Sequence, residues 1–270
     1  MEKSVPFWKW ILLLLGCFIV FVGLYGLLQG VCSLSKSILV KSALCVLSLV
    51  LVLCIYALAV RLVEKRRPED LPMGRALRDV SRGLAVGFLF FAAVSGVLAL
   101  CGILSVRPSD FDWKLILLSF VWYIYIAVGE EVIFRGILFR MIDERYNMWV
   151  ALAVSAVLFG VVHLSSPNAS VWSSVAIAVE AGLMLALAYK YSGSLWLPIG
   201  IHCAWNFTEE NVFGFAVSGW KSEASLMESQ LSGPDILTGG AFGPEASLVS
   251  MALGIVISAA FLLLVLGRRK

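Results

Sequence analysis

The sequence predicts an all-α, polytopic membrane helix bundle of about eight transmembrane helices with both termini cytoplasmic, and three observations carry this. Of 270 residues, 60% are hydrophobic and 14% charged, at a mean hydropathy of +0.93, a composition foreign to ordinary soluble domains. The apolar residues gather into stretches close to the roughly 20 residues a helix needs to cross a bilayer. Unpaired sheet edges cannot face lipid, so these stretches read as helices.

In chain order the spans are Trp10 to Leu28, Ile38 to Val63, Gly83 to Leu104, Lys114 to Arg140, Met148 to His163, Val171 to Tyr191, Leu195 to Phe213 and Leu248 to Leu266. The first has basic flanks at Lys3 and Lys9, but it is long for a signal-peptide core and lacks a small-x-small cleavage site, so it counts as a span. The fifth and seventh are short and contain the histidines. Seven basic residues between Arg61 and Arg82 place that loop in the cytoplasm. The N-terminus, the turn from Arg140 to Arg145, Lys190 and the tail Arg268-Arg269-Lys270 then share its side. Fifteen basic residues fall inside and five outside, with Arg135 in the membrane; an odd number of spans would separate the two most basic regions.

The whole chain, 1–270, reads as one membrane-embedded domain. It divides into three N-terminal spans at 1–106, a core at 114–213, an external cap loop at 208–246, and a final span with a basic tail at 247–270. The cap is rich in Gly, Ser, Pro and Glu, and Phe213, Phe215, Trp220 and Phe242 give it something to bury. No internal repeat of the kind seen in many transporters is present. Six cysteines without a CxxC pair argue against a disulfide framework or a structural zinc site and fit buried apolar roles. A net charge of +3 spread over loops argues against a nucleic-acid partner.

Polar residues inside the spans carry the chemistry. A carboxylate at bilayer depth costs several kcal/mol, so a chain keeps one there only where a partner or polar cavity compensates. Glu130 and Glu131 lie side by side on the fourth span, and Arg135 follows Glu131 by one turn, a spacing that allows an ion pair. Glu130, about 100° further round, points elsewhere. The two histidines of the chain, His163 and His202, also lie in spans, four residues after Phe159 and four before Asn206. At about 1.5 Å per residue, Glu130 and His163 both lie roughly 22 Å from the cytoplasmic turns and His202 roughly 18 Å, so the three can share a layer.

Two assignments stay open on the residues alone. In one, Glu130 acts as general base on a water that His163 orients, while His202 and Asn206 donate to the oxyanion at a peptide carbonyl. In the other, zinc sits on Glu130, His163 and His202 with water in a fourth position. The cofactor is therefore zinc or none. Glu180, in the sixth span, is a further intramembrane acid, expected to bond a neighbouring helix or to wall a cavity. Cys203 adjoins His202, but neighbours in sequence do not face each other on a helix, which argues against a Cys-His nucleophile.

Glu130-Glu131-x-x-x-Arg135, Phe159-x-x-x-His163 and His202-x-x-x-Asn206, in this order on successive apolar segments, resemble the three motifs of the CPBP family. These are CAAX-type and bacteriocin-processing intramembrane proteases, also called the Abi family. The resemblance covers roughly Leu115 to Phe213. It implies that Glu130 activates water together with His163, that His202 and Asn206 serve the oxyanion, and that Glu131 and Arg135 support the site. The family is often labelled metalloprotease, although a metal-free glutamate mechanism has also been advanced.

The function expected is that of an intramembrane endopeptidase, a multi-pass protein of a bacterial plasma membrane. Its partners are the lipid bilayer and a peptide or protein substrate that reaches the site within the membrane. Two other classes compete: a non-catalytic scaffold or immunity protein of the same fold, and a proton-coupled transporter. A scaffold would tolerate Glu130→Gln. A transporter would spread its acids along a path rather than gather them in one layer.

Overall fold

The computed structural model describes residues 5–221 and 224–268, so Lys3, Arg269 and Lys270, used above for orientation, lie outside the described residues. The molecule is nearly all helix. Among the described residues seven helices are long and apolar enough to span a membrane: α1 (Phe7–Ser33), α2 (Ile38–Leu62), α3 (Met73–Leu100), α4 (Trp113–Arg145), α5 (Met148–Ser165), α6 (Val171–Ser192) and, last in the chain, α9 (Leu248–Gly267). The seventh apolar segment forms α7, which runs through Trp196–Phe207 and continues as the π-helical turn Thr208–Val212. It falls short of spanning length and lies inside the protein. Every residue from Trp196 to Asn206 is buried, as expected of a helix apolar on all sides.

Helix boundaries follow local chemistry. The Asp112 carboxylate accepts from the Lys114 N–H at 2.8 Å to start α4, and the Asn147 side chain accepts from Trp149 and Val150 to start α5. Ser170 opens α6 with a capping box and Ser247 caps α9. The third span was expected to run to Leu104, but α3 stops at Leu100. Gly102, at φ +70°, takes the left-handed conformation of a Schellman ending, with Ile103 N–H on the Leu98 carbonyl and Gly102 N–H on that of Ala99.

The chain then forms a two-stranded sheet that an all-helix reading does not contain. Strand β1 (Leu104–Pro108) pairs antiparallel with β2 (Met227–Leu231), Leu104 opposite Leu231 and Pro108 opposite Met227. Arg107 and Glu228 form an ion pair across it. The pair ties the α3–α4 connection to the long segment between α7 and α9. That segment also holds the single turn α8 (Asp235–Thr238).

In a bilayer the hydrophobic effect does not drive helix against helix, so close packing falls to small residues. The tightest seam is between α3 and α7. A Cβ on Gly83 would lie 2.4 Å from the Leu197 carbonyl oxygen, one on Gly87 would lie 2.2 Å from that of Ile201, and one on Gly200 would lie 2.5 Å from that of Val80. Backbone touches backbone there. At the end of α4, a buried network fixes the helix to the α2–α3 loop: Arg140 donates to Glu64 at 2.6 Å and to Glu144 at 3.0 Å, and lies 3.8 Å from Asp70.

Candidate active site

Four helices build the site, α4, α5 and α7 through side chains and α6 through backbone carbonyls, and three of the four change helical pitch near it. Among the described residues the π-helical stretches are Val132–Phe139 in α4, Ala178–Gly182 in α6 and Thr208–Val212 in α7. Such bulges re-aim side chains and free carbonyl groups, and they gather at functional sites. Here the first starts immediately after Glu130-Glu131, and the second presents the carbonyls that receive Arg135.

Glu131 and Arg135 form the buried base of the site, both fully excluded from solvent. Arg135 Nη1 donates to Glu131 Oε1 at 2.9 Å, and its Nη2 donates to the Ala181 and Gly182 carbonyls at 3.1 and 3.2 Å. The same Glu131 oxygen lies 2.9 Å from His202 Nδ1. A carboxylate only accepts, so Nδ1 carries the proton and donates. Glu131 therefore joins α4 to α7 as well as pairing with its own helix. The i,i+4 spacing announced the arginine, but nothing local announced the imidazole.

Glu130 points the other way, toward a cavity of about 1130 Å³ that is also lined by Phe159, His163, His202 and Asn206. Its Oε2 is 3.8 Å from His202 Nε2 and, among the described residues, has no hydrogen-bond partner. His163 Nδ1 lies 2.6 Å from the Phe159 carbonyl. That oxygen accepts, so His163 too is protonated at Nδ1 and leaves Nε2 as an acceptor. Asn206 is 8% exposed, and its amide has no hydrogen-bond partner among the described residues.

Phe159 is the pivot. Its ring packs on the Arg135 guanidinium at 4.5 Å, on His163 at 4.8 Å and on His202 at 6.2 Å. The ring is a core residue with no proton to give, yet it sets the positions of three groups that have. Glu180, fully buried on α6, occupies the space a side chain at Gly254 of α9 would need, at 2.6 Å from its Cβ, and belongs to the α6–α9 contact. Cys203 is buried and lines a separate apolar cavity of about 120 Å³.

The cavity wall also contains residues that no motif includes. Tyr123 donates to Glu210 Oε2 at 2.7 Å, and Glu245 Oε1 accepts from the Ser218 N–H at 2.5 Å. Both acids line the cavity. Glu210 follows Asn206 by four residues as Asn206 follows His202, and that repeat was a readable signal. Glu245 comes from the turn before α9, and no spacing links it to the site.

The comparisons with known proteins fall on this region. A family model described as "Type II CAAX prenyl endopeptidase Rce1-like" matches residues 112–208, a stretch that contains Glu130, Glu131, Arg135, Phe159, His163, His202 and Asn206. An Escherichia coli protein named "Uncharacterized 24.3 kDa protein" is 30% identical over 158 residues, covering 54% of this chain and 71% of that protein. The chain belongs to the Rce1-like family. A Bacillus subtilis (strain 168) protein named "Putative membrane peptidase YdiL" is 31% identical over 77 residues, 28% of this chain and 29% of its own length. No solved structure matches. Membership of the Rce1-like family indicates a multi-pass intramembrane peptidase of the CAAX type.

A resident zinc would need at least three of these side chains turned to one point. Among the described residues no three His, Cys, Asp or Glu side chains converge in that way, so Glu130, His163 and His202 do not form a ligand set, and no step below is routed through a metal.

Proposed function

We propose that the chain is an intramembrane endopeptidase in which Glu130 and His163 activate a water, and His202 and Asn206 stabilise the oxyanion. The observation that supports this most is the division of hydrogen-bonding roles around the cavity. Glu130 Oε2 and His163 Nε2 are both acceptors. A water that donates one proton to each turns its lone pair toward a carbonyl carbon between them. His202, held through Nδ1 by the Glu131–Arg135 pair, presents Nε2 on the other side, and Asn206 stands one turn further along α7.

In this reading Glu130 takes a proton as the water oxygen attacks the peptide carbonyl carbon. Negative charge moves to the carbonyl oxygen, where protonated His202 and the Asn206 amide donate to it. Glu130 then passes the proton to the amine as the C–N bond breaks. Glu131 and Glu130 flank His202 at 2.9 and 3.8 Å. The substrate is a peptide whose scissile bond enters the cavity within the membrane. Relatives in Escherichia coli and Bacillus subtilis support a bacterial plasma membrane as its location.

The test is cleavage of a quenched fluorescent peptide ending in a prenylated cysteine plus three residues, by protein purified in detergent. Glu130→Gln and His163→Ala should each lower kcat by about 10²- to 10⁴-fold with the melting temperature unchanged. Cleavage should survive 1,10-phenanthroline. Retained turnover in either variant would overturn the mechanism, and loss with chelator would bring the zinc assignment back.

A further inference from the structure

We infer that the Tyr25 phenol, on α1, is a positioning residue for the general base: it donates a hydrogen bond to the Glu130 carboxylate when substrate fills the cavity. This rests on the protease reading above. Tyr25 stands outside the family-matched segment 112–208 and outside all three motifs.

Three observations place it. Tyr25 lines the same cavity as Glu130, His163 and His202. Its hydroxyl oxygen is buried and, among the described residues, has no hydrogen-bond partner; Glu130 Oε2 is in the same condition. A buried donor without an acceptor and a buried acceptor without a donor each carry a desolvation cost, and here both belong to residues that line one cavity. Of the groups around Glu130, His163 already spends its Nδ1 proton on Phe159, and His202 spends its Nδ1 proton on Glu131 and, in the reading above, its Nε2 proton on the oxyanion. Arg135 commits Nη1 to Glu131 and Nη2 to two carbonyls, and of its donors Nε has no hydrogen-bond partner among the described residues. The phenol still has its proton to give.

The ring is also held where that proton can be used. A Cβ on Gly129, the residue just before Glu130, would lie 2.3 Å from Tyr25 Cδ2, so the ring lies directly on the α4 backbone at the base. Tyr125 donates to the Tyr25 carbonyl at 3.0 Å, and the two rings pack with centroids 5.5 Å apart.

The variant to make is Tyr25→Phe, which keeps the ring on Gly129 and removes only the hydroxyl. Wild type, Glu130→Gln and Tyr25→Phe are compared on the same prenyl-cysteine peptide. The expected result is a fall in kcat of about 10- to 100-fold with KM within about twofold and an unchanged melting temperature. Packing alone would leave kcat unmoved. Wild-type kcat in Tyr25→Phe, or a change confined to KM, overturns this inference while an inactive Glu130→Gln leaves the protease reading standing. A wild type that cleaves nothing, or an active Glu130→Gln, overturns the protease reading and this inference with it.

Discussion

Helices α1 and α7 are both strongly apolar in sequence, yet they occupy opposite environments. α1 buries four of its 27 residues, Trp10, Leu14, Phe21 and Cys32, whereas α7 buries every residue from Trp196 to Asn206. Their glycines separate them further. Among the described residues nothing lies within 4 Å of a Cβ placed on Gly16, Gly23, Gly26 or Gly30 of α1, while Gly200 of α7 meets the α3 backbone at 2.5 Å. Where lipid is the solvent, apolar character does not decide what is inside. Small residues that let backbones touch, and polar residues that need partners, decide it.

The largest expected effect comes from silencing the chemistry that the buried region holds: Glu130→Gln should cost about 10²- to 10⁴-fold in kcat, whereas Leu12→Ala, on the exposed face of α1, should leave turnover unchanged. Next is Arg135→Ala, which removes the guanidinium partner of the fully buried Glu131. It should destabilise the protein by about 3–5 kcal/mol, read as a lower melting temperature together with lost activity. The glycine contrast can be tested directly. Gly87→Leu would drive a side chain into the Ile201 carbonyl and should cost about 1–3 kcal/mol, while Gly16→Leu should stay within about 0.5 kcal/mol of wild type. An equal response in both would erase the distinction drawn between the helices.

The smallest effect is on pH dependence, at Glu245 in the cavity wall. Burial pushes the Glu245 carboxyl up to about 7 from an ordinary 4.5, against the lowering effect of its bond from Ser218. The folded state therefore holds this proton more tightly than the unfolded chain. The stabilisation is complete below 4.5 and is lost as pH rises through 7. Melting temperature measured from pH 5 to 8 should fall with pH in the wild type, and less so in Glu245→Gln.

Much of the fold was legible because hydropathy and charge are strong local signals. The spans, the Glu131–Arg135 pair and the two histidines could be read directly. What stayed hidden depends on residues distant in sequence. Strands Leu104–Pro108 and Met227–Leu231 are short, carry polar residues and lie more than a hundred positions apart, so neither proclaims the other. Nothing beside Glu131 foretold that one oxygen would serve both Arg135 and His202. Phe159 read as core and is core, but its contacts with Arg135, His163 and His202 come from three different helices. Burial of α7 was hidden because a central helix and a lipid-facing one have the same hydropathy, and Tyr25 because its importance depends on Gly129 coming close from α4.

Both imidazoles of the chain stand at the cavity with Nδ1 committed, one to a carbonyl and one to a carboxylate. A magnetic-resonance spectrum selective for histidine rings would therefore contain two signals, each originating beside Glu130, the general base proposed above. Arrival of a substrate, a proton or a metal ion could be followed at that spot in the intact membrane protein, without attaching a reporter.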